Sequence, residues 1–129
     1  GILFDFLKKV KDNTEELIVL GDGNQNKPYM YVQELIDSMF FIICNAEEKF
    51  NSYNVGPKDG VSVSVIANLF LKYFGTGQNI KYTGGKIGWK GDVPYYSHDS
   101  KKLKILGWEP KLSSKEAVEE AIKKMKDES

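Results

Sequence analysis

Apolar residues recur at helical spacing in four stretches of this chain, separated by shorter runs that read as strands and turns. Ile2, Leu3, Phe6, Leu7 and Val10 mark one face of a first helix. Over 32–50, Val32, Leu35, Ile36, Met39, Phe40, Ile43, Ala46 and Phe50 fill one broad arc of a wheel at about 100° per residue. Phe41 falls on the opposite side and Ile42 at the margin, so "MFFII" is rich for a helix covered on one face. Two readings stay open: a helix buried deep in this domain, and one whose second neighbour lies in a missing segment. Ser62 or Ser64 caps a third helix with Val65, Ile66, Leu69, Phe70, Tyr73 and Phe74 inward, stopped by Gly75. Ser113 and Glu116 spell a capping box ahead of a last helix that turns Ala117, Val118, Ala121, Ile122 and Met125 inward.

Between these stretches "ELIVL" (16–20) reads as a strand, "GDGNQN" as a turn and "KPYMYV" as the returning strand of a hairpin. Pro28 cannot donate to a ladder, so the returning strand lies at an edge or pairs only through its other side. "SYNVG" (52–56) and "NIKYTG" (79–84) are further strand candidates. Asp99 or Ser100 opens a short helix through Leu106, which "GWEP" ends. The alternation predicts a mixed α/β (α+β) fold in one domain, residues 1–129.

Charge changes this picture through its distribution. Eighteen acids balance eighteen bases, so nothing global draws the chain to nucleic acid or to an anionic membrane. Residues 1–59 hold ten acids and six lysines, whereas 60–98 hold four lysines and one acid, Asp92. Every base is lysine, so a bound anion meets point-charge ammonium groups and no guanidinium forks. Cys44 is the only cysteine, which excludes an internal disulfide and a cysteine-cluster metal site and suits a reducing cytoplasm. No uncharged run approaches a bilayer span, and residues 1–20 are too charged for a signal peptide. The expectation is a soluble cytoplasmic protein. The first helix starts without methionine or a capping residue, which predicts a removed upstream segment; a processed terminus would look similar.

"GDGNQNK" has the spacing of neither a P-loop nor a dinucleotide turn, and it leads into a strand. What remains of it chemically is Lys27, where turn and strand meet. "SHD" (97–99) cannot form a triad, because neighbouring side chains diverge, and one histidine supplies too few metal ligands. "GWKGDVP" offers more: Trp89 as a stacking face, Lys90 as a cation, Gly91 for backbone access and Asp92 as an acceptor for hydroxyls. The plainer reading is a loop tied down by a buried tryptophan, with Lys90 in water.

"LGDGNQNKPYMYVQEL", "YNVG", "GGKIGWKGDVP" and "DSKKLKILGWEPKLSSKEAVEEAI" occur in that order. Together they resemble the NAD-dependent epimerase/dehydratase family, the extended short-chain dehydrogenase/reductases acting on nucleotide sugars. The resemblance covers nearly the whole chain. It implies a C-terminal substrate-binding domain without the N-terminal Rossmann core, from a parent enzyme that is UDP-glucose 4-epimerase-like and holds NAD. It implies that the cofactor fingerprint, the catalytic serine or threonine and the Tyr-x-x-x-Lys pair lie upstream of residue 1. "YTGGK" (82–86) matches that pair by spelling only, since two glycines argue against the helix it needs. By the same resemblance Lys27 stands where the family places an arginine on the diphosphate, and Tyr29 lines the nucleotide pocket. Asp92 meets ribose hydroxyls, and Lys90 substitutes for a second arginine. Catalytic, cofactor-binding and metal residues are then absent from this chain. Its partners would be a UDP-sugar and its own Rossmann domain, with self-association of the fragment through the uncovered helix. The competing class is a stand-alone, non-catalytic nucleotide- or protein-binding module.

Overall fold

The helical spacings are realised as helices in the computed structural model, which describes residues 1–93 and 95–129. The elements run α1 (Ile2–Asp12), β1 (Glu16–Val19), β2 (Asn26–Lys27), α2 (Val32–Asn45), β3 (Val61–Ser62), α3 (Val63–Phe74), β4 (Asn79–Tyr82), α4 (Lys101–Leu106) and α5 (Ser114–Asp127). Phe6 and Val10 of α1, Ile66 and Phe70 of α3, and Val118 and Ile122 of α5 meet Leu17 and Val19 of β1 in one core. Phe70 is its hub, edge-on to Phe6 (centroids 5.8 Å apart) and stacked on Phe74 (4.8 Å). The mixed helix and strand content agrees with the expected fold class.

Both predicted caps form. Ser113 Oγ accepts from the Glu116 N–H while the Glu116 carboxylate accepts from the Ser113 N–H, closing the capping box of α5. Ser62 caps α3 more loosely, with the Val65 N–H 3.4 Å away.

The strands correct the predicted hairpin. β1 and β2 do not pair with each other. β1 pairs in parallel with β4, Leu17 beside Ile80, and β2 pairs antiparallel with β3, Lys27 beside Val61. The residues between β1 and β2 carry the chain from one small sheet to the other. Gly21 and Gly23 turn there with φ of 85° and 81°, and α3 pins the turn by donating the Val63 and Ser64 N–H groups to the Gln25 and Gly23 carbonyls. Residues 52–56 are not a strand; no neighbour among the described residues offers them a ladder.

The largest correction concerns α2. Of the two readings, the helix buried deep in this domain is overturned: Met39, Phe40 and Ile43 of the apolar arc stand 54, 64 and 74% exposed, and Phe50, beyond the helix end, is exposed as well. The edge that packs is narrow and partly polar. Ser38 is buried, Phe41 reaches Gly107, and the Glu34 carboxylate accepts from the Lys111 and Leu112 N–H groups. These contacts tether α2 to α4 and the segment after it, and leave Val32, Met39, Phe40 and Ile43 of its apolar arc exposed.

Candidate functional site

Pairing of β2 with β3 fixes the backbone at Lys27, and its ammonium forms an ion pair with the Asp92 carboxylate. The same ammonium lies 4.2 Å from the centroid of the Trp89 ring, a cation–π contact. A tight turn delivers the other two groups. Gly91 takes φ 88°, the Asp92 N–H donates to the Trp89 carbonyl (3.0 Å), and the Gly88 N–H donates to Asp92 Oδ2 (2.9 Å). Asp92 is therefore enclosed, its side chain 1% exposed. Burial alone would push its carboxyl pKa up, but the bonds from Lys27 and the Gly88 N–H, with the lysine's charge, hold it below the ordinary carboxylate value.

Two residues beyond Lys27, the Tyr29 backbone is held from across the molecule. Its N–H donates to Ser114 Oγ (3.0 Å), and Ser114 in turn donates its hydroxyl and N–H to the Asp59 carbonyl and carboxylate, each at 2.8 Å. Desolvation by burial raises the Tyr29 phenol pKa, and the neighbouring Tyr96 and Asp92 add to it, so the phenol is neutral and available as a hydrogen-bond donor.

Lys27, Tyr29, Trp89 and Asp92 line one cavity of about 550 Å³, walled on its apolar side by Ile2 and Phe6 of α1. The structure thus brings together three of the four residues expected from sequence. It leaves Lys90 exposed and outside the wall. Trp89 is 58% exposed, which corrects the reading of a loop anchored by a buried tryptophan. Pro94, the last residue of "GDVP", lies outside the described residues. His98 is exposed and touches Tyr96 edge-on, and no group of three or more metal-ligating side chains occurs among the described residues. Sequence reasoning passed over Gln25, which is buried in the same wall. It lies in the turn ahead of β2, where no spacing rule marks it. A cation, an aromatic face and an apolar wall make a binding surface for a partly apolar anion.

Comparison with known proteins fits this geometry. Residues 1–56 match the model of the NAD dependent epimerase/dehydratase family. A structure of UDP-galactose 4-epimerase superposes on 99% of the chain with a TM-score of 0.81 and 31% identity, using 41% of its own length. The chain belongs to the NAD-dependent epimerase/dehydratase family. The UDP-glucose 4-epimerase of Thermotoga maritima, solved with UDP-glucose, matches 99% of this family member and 40% of itself, at TM-score 0.75 and 25% identity. Among curated relatives, the putative GDP-L-fucose synthase 2 of Arabidopsis thaliana is 31% identical over 111 residues, 83% of this chain and 31% of its own. The chain therefore spans about a third of the length of such relatives.

NAD is the group the epimerase/dehydratase family implies, and the glycine turn here does not fit it. A Cβ at Gly21 would collide with the Gln25 amide, and one at Gly23 with the Tyr82 ring, so the chain's own side chains fill the space a phosphate would need. The nearest helix start, that of α3, already spends its Val63 and Ser64 N–H groups on this turn.

Proposed function

We propose that residues 1–129 are the nucleotide-sugar-binding part of an NAD-dependent epimerase or dehydratase, UDP-glucose 4-epimerase-like in its substrate. The observation that carries this reading is the Lys27 ammonium, held at the wall of the cavity by Asp92 and Trp89. In this reading Lys27 takes the diphosphate as a monodentate point charge, and Tyr29 offers a phenol donor to the ligand. Asp92 orients Lys27 and stands toward the ribose. Lys90, exposed on the same turn, reaches the phosphates from outside the wall.

NAD and hydride transfer then belong to a Rossmann domain outside these residues, and no catalytic or cofactor-binding residue is assigned to this chain. The exposed arc of α2 is the surface on which that domain docks; the relatives' greater length supplies a candidate of the right size. Isolated residues 1–129 would hold neither NAD nor turn over a UDP-sugar, and would self-associate through the same arc.

Titration of the complete protein with UDP-glucose, GDP-fucose and dTDP-glucose tests this. UDP-glucose is expected to bind tightest, and Lys27→Ala to weaken it by about 1–3 kcal/mol. Unchanged affinity in that variant removes Lys27 from the site.

A further inference from the structure

The cavity wall contains one acceptor that nothing in the protein satisfies. Gln25 is 4% exposed, and its Nε2 donates to the Leu20 carbonyl at 3.0 Å, which sets the orientation of the amide. Its Oε1 is buried and has no hydrogen-bond partner among the described residues. Exchanging O for N would face two carbonyl oxygens against each other at Leu20, so the orphan is the oxygen. The backbone there is fixed as well, the Gln25 carbonyl accepting from the Val63 N–H at 3.0 Å. Most buried side-chain acceptors are satisfied, so one left open in the wall of a binding cavity is a place for a donor from outside the protein, a water or a ligand group.

Gln25 and Lys27, two residues apart in the chain, line the same cavity. The pair offers an acceptor beside a cation. A phosphate oxygen suits the cation, and a nearby O–H suits the acceptor. On a phosphate ester the donor nearest the phosphate is a hydroxyl one or two carbons away, whereas the donor edge of a base lies beyond the ribose. Gly88 lies against the Gln25 amide: a Cβ there would sit 3.3 Å from both Nε2 and Asp92 Oδ2. The turn that grips Asp92 thus covers Gln25, and a phosphate that draws Lys27 away from Asp92 loosens that cover.

Resting on the nucleotide-sugar reading above, we propose that Gln25 is a specificity-determining residue of this site. Its Oε1 accepts a hydrogen bond from a ligand hydroxyl adjacent to the phosphate held by Lys27, and selects hydroxylated ligands over deoxy ones.

The test measures binding to the complete protein of UDP-glucose, its 2′-deoxyribose, 3′-deoxyribose and 2-deoxyglucose analogues, and inorganic pyrophosphate, which carries no hydroxyl on carbon. One deoxy analogue is expected to bind the wild type about tenfold more weakly than UDP-glucose. In Gln25→Met that penalty falls below twofold, while pyrophosphate affinity is unchanged. Gln25→Asn, which keeps the amide but withdraws the oxygen, loses the same penalty and serves if the methionine variant does not fold. Three deoxy penalties that persist in the variants, or no penalty in the wild type, overturn the role of Gln25 while leaving the nucleotide-sugar reading in place. A wild type that binds pyrophosphate but not UDP-glucose overturns both.

Discussion

Helices α2 and α3 have equally clear apolar faces in sequence and opposite fates in the structure. On α3, Ile66, Ala67 and Phe70 are fully enclosed by α1, α5 and β1. On α2, the apolar arc stands in the open, and the helix is held by Glu34, Ser38 and Phe41 on its narrower side. Periodicity records that a face exists; it does not record what covers it. For α3 the cover lies within these residues, and for α2 the proposed cover is the cofactor-bearing part of the enzyme.

The comparison breaks most sharply on a pair of truncations. Phe70→Ala in residues 1–129 should cost about 3–5 kcal/mol, since it empties the hub between Phe6 and Phe74. Phe40→Ala should change the stability of the same polypeptide by less than about 0.5 kcal/mol. Chemical denaturation of both variants checks this, and repeating it on the complete protein sharpens it. If α2 docks as proposed, the Phe40 variant becomes costly there and only there.

A smaller effect is expected at the cavity. Lys27→Ala leaves the enclosed Asp92 carboxylate without its cation and should destabilise the fold by about 2–3 kcal/mol. The pH dependence has a definite sign. With Lys27 present, the folded carboxyl lies below its unfolded value, so its contribution is complete at neutral pH. That contribution is lost only as acid carries the solution down through the lowered folded value. Without Lys27, burial dominates, the folded pKa rises, and acid sensitivity moves to higher pH. Denaturation midpoints of the two proteins between neutral and acidic pH should therefore differ in shape as well as in height. Superimposable profiles would deny Lys27 its part in depressing Asp92.

The smallest differences lie in the caps. Ser113→Ala removes half of a reciprocal capping box and should cost about 1 kcal/mol. Ser62→Ala, whose bond to Val65 is already long at 3.4 Å, should cost less. Thermal melts of the two variants compare them directly.

Much of this was legible in the sequence because it is local. The inward faces of α1, α3 and α5, the α5 capping box and the short α4 follow from spacing and from residues within one helical turn of each other. The misreadings are non-local. β1 and β2 are joined by a glycine turn and look like a hairpin, but β1 is claimed by β4 some sixty residues on, which no turn rule registers. The orientation of α2 is settled by residues 107–112, equally distant in the chain. The site divides the same way. Family resemblance pointed to Lys27, Tyr29 and Asp92, but not to the pairing of the first with the last under Trp89. Gln25 becomes visible only when its unpaired oxygen is seen.

One hydroxyl gives the fold an unexpected mechanical connection. Ser114, at the start of the final helix, is the rivet through which the backbone of Tyr29 and the loop at Asp59 are clamped together. The C-terminal helix is thus a strut for the ligand-facing wall: a lesion at its root would be felt by whatever docks against Tyr29, though no atom of that helix need touch it.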